Sequence, residues 1–191
     1  MLTEIGVLTQ AELEQCRRYV EQTGDGVSAA TDELSEEQWN FKPGPERWSI
    51  AEIVEHVVVI QELVLGPIRG ALAAAPVCGD RDHKRVDEFV VDRFPDRSIK
   101  LQGPEPGKPT GRWNPAEALE RLTANCGQLT EYVESTPDVR QRVIEAAPLI
   151  AISKGELREM DGYQWVLAVA AHTERHTEQI REVQGDPGYP G

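Results

Sequence analysis

Three of the chain's four histidines stand where their imidazoles could act together. His172 and His176 are four residues apart in the stretch 164–183, which has helix-forming composition and contains no Gly or Pro. Four residues is slightly more than one helical turn, so both imidazoles project from the same face. His56 lies on an inward seam of a second apolar stretch. An i, i+4 pair completed by a third imidazole from a facing helix is a common way to bind a divalent ion, with positions left open for water or substrate.

The pattern by itself leaves two interpretations open. His172 and His176 continue an apolar seam, so both should point into the protein. They could be core histidines, each satisfied by ordinary hydrogen-bond partners. Alternatively, they could hold an ion together with His56, because histidine is seldom needed to fill a core.

The spacing excludes two familiar kinds of metal site. In an H-E-x-x-H helix the glutamate directly follows the first histidine, whereas Glu174 comes two residues after His172 and lies about 200° round the helix. The chain also contains no Glu-x-x-His pair of the kind that builds di-iron bundles. The sequence therefore argues against a zinc peptidase and against a dinuclear carboxylate site.

Two polar residues are candidates to contact the metal-binding histidines without binding the metal themselves. Gln179 lies one turn after His176, and Glu52 lies one turn before His56. Either could orient a ligand or move a proton. For Glu52 the alternative is a helix cap with Ser49.

Aromatic residues and the fourth histidine complete the candidates. Trp48, Tyr163 and Trp165 could line a pocket, although aromatic residues at helix ends commonly serve packing alone. His83 stands among charged residues and is predicted to be an exposed surface histidine.

Four long amphipathic helices are predicted to position these residues. They cover about 10–34, 50–65, 115–135 and 164–183, and Ser/Thr/Asn caps with Glu three residues on open the first three. The fourth is approached through a possible cap at Ser153 and Glu156, with Gly162 as a weak point before its regular part. Gly24 and Gly26 make a kink in the first helix plausible. No convincing strand is visible.

The connections determine the predicted topology. Those at 35–48 and 134–155 are short, whereas residues 66–113, here called the crossover, join the second and third helices and include a Gly/Pro-rich loop at 103–111. A long crossover lets helices two and three run parallel. The prediction is an all-α, up-down-down-up four-helix bundle forming one domain over residues 1–191, with its core at about 10–183.

Composition narrows the classes of partner. The formal net charge is −13, with 33 acidic against 20 basic residues, which disfavours nucleic acid and anionic membranes. Cys16, Cys78 and Cys126 show no paired spacing and suggest a reduced, cytoplasmic compartment. We expect no signal peptide in the first twenty residues and no membrane span.

Four segments resemble the DinB-like (YfiT-like) metalloenzyme superfamily. They are LSEEQW at 34–39, RWSIAEIVEH at 47–56, DGYQW at 161–165 and AHTERHTEQI at 171–180. The similarity runs over about residues 10–183. It implies the same bundle topology, often as a homodimer, and a divalent metal, commonly nickel or zinc, bound by His56, His172 and His176.

The resemblance also implies a range of reactions. Some members of the family are similar to thiol transferases, which use a low-molecular-weight thiol, and others have been proposed as hydrolases. The expected function is a metal-dependent, thiol-dependent S-transferase acting on a small electrophile. A metal-dependent hydrolase and a non-catalytic metal-binding stress-response protein are the alternatives.

Overall fold

A computed structural model describes residues 7–79, 81–99 and 105–191 and shows the predicted four-helix bundle. Its helices in chain order are α1 (Gln10–Ala30), α2 (Glu36–Asn40), α3 (Ile50–Leu63), α4 (Arg69–Ala74), α5 (His83–Arg93), α6 (Pro115–Ser135), α7 (Ala147–Ile152) and α8 (Gly162–Gln184). A π-helical turn, Val64–Ile68, joins α3 to α4, and a 3-10 turn spans Glu105–Gly107. Two short strands are β1 (Val143–Glu145) and β2 (Glu159–Asp161).

The long helices α1, α3, α6 and α8 form the bundle in up-down-down-up order. Helix α8 packs against α1 and α3, and α6 packs against the same two helices from the other side. Within the crossover, α5 packs on α8. Gly103 and Pro104, the first residues of the predicted loop, and residues 1–6, including Glu4, lie outside the described ranges.

Each long helix begins at a capping box. The three predicted boxes are present, with Thr9, Ser49 and Asn114 as caps. The fourth box is formed by Asp161 and Gln164, so the predicted cap at Ser153 and Glu156 is wrong.

Two glycines that suggested weak points instead allow close packing. Helix α1 is continuous through Gly24, where an added Cβ would lie 3.0 Å from Cys126 Sγ. At Gly162 a Cβ would lie 2.5 Å from Tyr132 Oη, so the first residue of α8 must be small.

Helix α1 ends earlier than predicted, at Ala30 rather than at residue 34. The residue after its end, Thr31, donates its backbone N–H to Ser28 O.

The sheet corrects the prediction that no strand occurs. Strands β1 and β2 pair antiparallel, with Val143 opposite Asp161 and Glu145 opposite Glu159. Three residues are too few for the alternation of apolar and polar side chains to mark a strand in the sequence. Because β2 leads directly into α8, this pairing holds the start of that helix.

The helical run Ile50–Ala74 corrects the expectation about membrane spans. It has 25 residues and a window of mean hydropathy 1.6, so by length and composition alone it is long and apolar enough to cross a membrane. In the bundle, the α3 part of this run supplies core side chains. The fully buried ones are Ile50, Ile53, Val54, Val57 and Val58.

Candidate metal centre

The fold brings His56, His172 and His176 together inside the bundle. The Nε2 atom of His172 lies 3.1 Å from Nε2 of His56 and 3.1 Å from Nε2 of His176. One nitrogen from each ring falls within a cluster no more than 4.8 Å across. His56 and His176 are buried, and His172 is partly exposed as a residue although its Nδ1 atom is buried.

Hydrogen bonds fix two of the rings with Nε2 free. His56 Nδ1 donates to the carbonyl oxygen of Gly107 at 2.6 Å, and His176 Nδ1 donates to Gln179 Oε1 at 2.8 Å. Arg97 also donates to Gln179 Oε1, at 3.2 Å, which fixes the orientation of that amide. Both partners are acceptors, so the proton sits on Nδ1 and the Nε2 lone pair faces the cluster.

The third ring is held differently. Within the described residues, Nδ1 of His172 is buried and has no hydrogen-bond partner. If His172 carried its proton on Nε2, it could donate to only one of the two facing lone pairs. The three rings therefore have too few N–H donors for the nitrogen lone pairs that face one another. One cation bound between the rings would satisfy those lone pairs.

Burial keeps all three imidazoles neutral. It is the main cause that lowers the pKa of each ring below the ordinary histidine value. The neighbouring imidazoles lower the pKa of His172 and His176 further, whereas the hydrogen bond to Gly107 opposes the shift at His56. A neutral imidazole is the form that binds metal.

The spacing of the nitrogens also fits a metal. A metal–nitrogen bond of about 2.0–2.1 Å places two ligand nitrogens about 3.3 Å apart in a tetrahedral site and about 2.9 Å apart in an octahedral one. The observed 3.1 Å lies between these values. The residues present therefore suit a divalent ion, which His56, His172 and His176 would hold.

Of the predicted aromatic residues, only Trp48 is among the ring contacts of the site. The centroid of its ring lies 4.9 Å from the ring centroid of His56. It lies 6.4 Å from the ring centroid of His176, and those two rings are stacked. Tyr163 and Trp165 belong to the apolar core nearer the start of α8, and Tyr163 Oη donates to Glu12 O. These two residues therefore serve packing, which was the alternative to a pocket role for them.

The two candidates for the supporting role behave differently. Gln179 contacts His176 as described, whereas Glu52 accepts from Ser49 N at 2.8 Å and from Lys42 Nζ at 2.7 Å. Glu52 therefore takes the capping role.

Residues of the crossover support the site, although no sequence pattern predicted that they would. Gly107 and Arg97 belong to the part of the chain with no clear periodicity. Arg97 also pairs with Glu182 at 2.6 Å, and Arg175 donates to the carbonyls of Asp96 and Ile99. The closely spaced glycines and prolines around Gly107 were the one local signal of a backbone approaching another element.

The structure corrects the prediction that His83 is an exposed surface histidine. It is partly buried, and its Nδ1 lies 2.9 Å from Asp161 Oδ2. It therefore belongs to a polar cluster at the start of α8, away from the three-histidine site.

The fold and the site define this chain as a helical bundle with three inward histidines on two facing helices. The model of the DinB superfamily matches residues 19–180, and the chain belongs to that superfamily.

Two similar proteins come from Bacillus subtilis. The uncharacterized protein YuaE of strain 168 is 24% identical over 152 residues, covering 79% of this chain and 86% of that protein. The solved structure of YfiT is reported as "a probable metal-dependent hydrolase with an unusual four-helix bundle topology". It matches with a TM-score of 0.61 at 13% identity, covering 96% of this chain and 91% of that one. At this identity the likeness shows the fold.

Proposed function

We propose that the protein is a divalent-metal-dependent enzyme whose ion is held by His56, His172 and His176. The observation that carries this proposal is the convergence of three imidazoles, in which Nε2 of His172 lies 3.1 Å from Nε2 of His56 and 3.1 Å from Nε2 of His176. Among the described residues, the hydrogen-bond partners of these rings are a backbone carbonyl, an amide oxygen and one another. The ligands themselves thus leave the charge of the ion uncompensated.

The proposed reaction is a substitution in which the sulfur of a low-molecular-weight thiol bonds to a small electrophile, the S–H proton is released to solvent, and the leaving group, such as a halide, departs with its bonding electrons. When bound, a divalent ion supplies Lewis acidity that lowers the pKa of a coordinated thiol or water. His56 and His176 orient their lone pairs through the Nδ1 contacts, and the Trp48 ring packs beside these two imidazoles. Nickel and zinc both suit three imidazoles, so the identity of the ion is part of the proposal.

The contacts of nearby acids favour thiol transfer over hydrolysis. Acidic residues close to the histidines in sequence are bonded elsewhere: Glu52 in its cap, Glu55 to backbone N–H groups, Glu174 to Tyr19 Oη and Glu178 to Arg181. A thiol ionises more easily than water, so its reaction depends less on a carboxylate base. Hydrolysis is the second candidate, supported by the description of YfiT.

The remaining expectations belong to the same proposal. Homodimeric assembly follows from the family resemblance. A cytoplasmic location is supported by the three cysteines, Cys16, Cys78 and Cys126, all of which are free.

Elemental analysis of protein purified without a nickel column tests the metal. We expect about one divalent ion per chain, because the three ligands form one site. Fully folded protein that neither contains nor takes up nickel or zinc would contradict the proposal.

Activity assays then separate the reactions. A halogenated nitrobenzene offered with small thiols should be consumed only in the metal-loaded protein. Metal-dependent cleavage of nitrophenyl esters without thiol consumption would favour the hydrolase. Metal binding with neither activity would favour the non-catalytic metal-binding protein.

A further inference from the structure

Glu55 directly precedes His56 in α3 and carries a buried carboxylate, with the residue only 3% exposed. Its oxygens accept the backbone N–H groups of Thr110 at 2.8 Å, Gly111 at 2.8 Å and Arg112 at 3.3 Å. The Thr110 hydroxyl, at 3.4 Å, and the Arg112 guanidinium, at 3.6 Å, add weaker contacts. A buried carboxylate needs such donors, and here they come from a loop rather than from a second helix.

The same loop holds His56. Residues 105–112, here called the site loop, place Gly107 so that its carbonyl oxygen accepts from His56 Nδ1 at 2.6 Å. An added Cβ on Gly107 would lie 3.3 Å from His56 Nδ1 and 3.0 Å from Ile60 Cδ1. The close approach of this backbone to the imidazole therefore depends on glycine.

Two consecutive residues of α3 thus fix the site loop at two points. The Glu55 side chain holds residues 110–112, and the His56 ring holds residue 107. Side chains of neighbouring residues on a helix point about 100° apart. The site loop therefore contacts α3 on two different sides, one facing Glu55 and one facing His56.

We propose that Glu55 is a positioning residue for the metal centre. By fixing the backbone of residues 110–112, it keeps the Gly107 carbonyl on Nδ1 of His56, which holds that ring in the tautomer with Nε2 free for an ion. This inference rests on the proposed metal role of His56 and is independent of the reaction catalysed. Groups that orient a metal-binding histidine in this way typically change metal affinity by about 10–100-fold when removed.

The test is Glu55→Gln, which keeps the size of the side chain and replaces one acceptor oxygen with an NH₂ group that faces backbone donors. The matched control is Glu62→Gln, on the same helix seven residues later, where the carboxylate pairs with Arg121 at 2.9 Å instead. In competition with a chelator, zinc affinity should fall about 10–100-fold in Glu55→Gln. The control should stay within about twofold of the wild type, as expected for an exposed ion pair.

A spectroscopic measurement separates positioning from general loop stability. Nitrogen NMR of the metal-free protein should show His56 with its proton on Nδ1 in the wild type and a mixture of tautomers in Glu55→Gln. Gly107→Ala, which crowds the same contact from the other side, should give the same mixture with the Glu55 carboxylate intact. If Glu55→Gln does not fold, Glu55→Asp replaces it: the shorter side chain draws the carboxylate back from the N–H groups of residues 110–112 and should give a mixture of His56 tautomers as well.

Two results would overturn the inference. One is a Glu55→Gln protein with wild-type zinc affinity and an unchanged His56 tautomer; the other is a Gly107→Ala protein with both properties unchanged. If the wild type binds no metal, the proposed function fails, and the NMR comparison still reports whether Glu55 positions His56.

Discussion

Helix α8 carries two polar clusters, one at its start and one further along. At its start, the Arg140 guanidinium is 3% exposed and lies 2.6 Å from Glu12, 2.7 Å from Asp87 and 3.3 Å from Asp161. Further along, His172 and His176 meet His56 from α3. We call these the arginine cluster and the histidine cluster.

The two clusters differ in where the positive charge comes from. In the arginine cluster, the protein supplies the cation and surrounds it with carboxylates from three different parts of the chain. In the histidine cluster, the rings are neutral and their lone pairs face one another. A buried polar cluster that contains its own counter-charges can be complete as a structural element, whereas convergent lone pairs without a cation indicate a site for an ion from solution.

The largest expected effect is loss of metal on removing a ligand. His172→Ala and His176→Ala should each lower the bound ion from about one per chain to a trace, because two imidazoles hold a divalent ion far less tightly than three. Elemental analysis after dialysis measures this. The matched control is His83→Ala, which removes the histidine of the arginine cluster and should retain the ion. Equal metal content in all three variants would contradict the claim that the histidine cluster, and not the arginine cluster, binds the ion.

The next largest expected effect is on the stability of the fold rather than on metal binding. Arg140→Met leaves the carboxylates of Asp87 and Asp161 without their cation, so the free energy of unfolding should fall by about 3–5 kcal/mol. Denaturant unfolding of the metal-free protein measures it, with Arg18→Met on the exposed face of α1 as the control. The folded fraction should still bind one ion. A loss of metal at unchanged stability would show that the arginine cluster supports the site directly.

A smaller effect is expected at Gln179. Gln179→Leu removes the acceptor of His176 Nδ1 and should weaken zinc binding about 10–100-fold. Gln184→Leu is the control, because Gln184 lies on the same helix and donates to Ala30 O instead. Chelator competition compares them, and equal affinities in the two variants would exclude an orienting role for Gln179.

The smallest effect is the pH dependence of the metal-free protein. The pKa of each clustered histidine is lower in the folded state than in the unfolded chain, where it is about 6.5. The unfolded chain therefore takes up protons first, and stability should fall as pH drops below about 6.5, by at most about 1.4 kcal/mol per pH unit for each histidine. Denaturation at pH of about 7.5 and about 5.5 tests this. His176→Ala should show a shallower slope, and a stability that rises on acidification would contradict the assignment.

Local sequence signals predicted much of the framework. The caps at Thr9, Ser49 and Asn114 are confirmed, because a capping box involves residues only three apart. The projection of His172 and His176 from one face follows in the same way from helical geometry. The bundle topology is also confirmed, since a long crossover between the second and third helices is itself visible in the sequence.

The errors share a physical cause. His83 and Gly162 were interpreted from their neighbours in sequence, whereas their roles depend on Asp161 and Tyr132 respectively. Contacts between residues far apart in the chain leave no periodic signal.

The sequence by itself determined where helices begin, which faces are apolar and that two histidines share a helical face, because these depend on spacings of a few residues. Only the tertiary structure decided that His56 meets that pair, that Gly107 and Gln179 set the tautomers, and that Glu55 anchors the site loop. These depend on atoms brought within about 3 Å by helix packing, a distance at which hydrogen bonds and metal ligation operate.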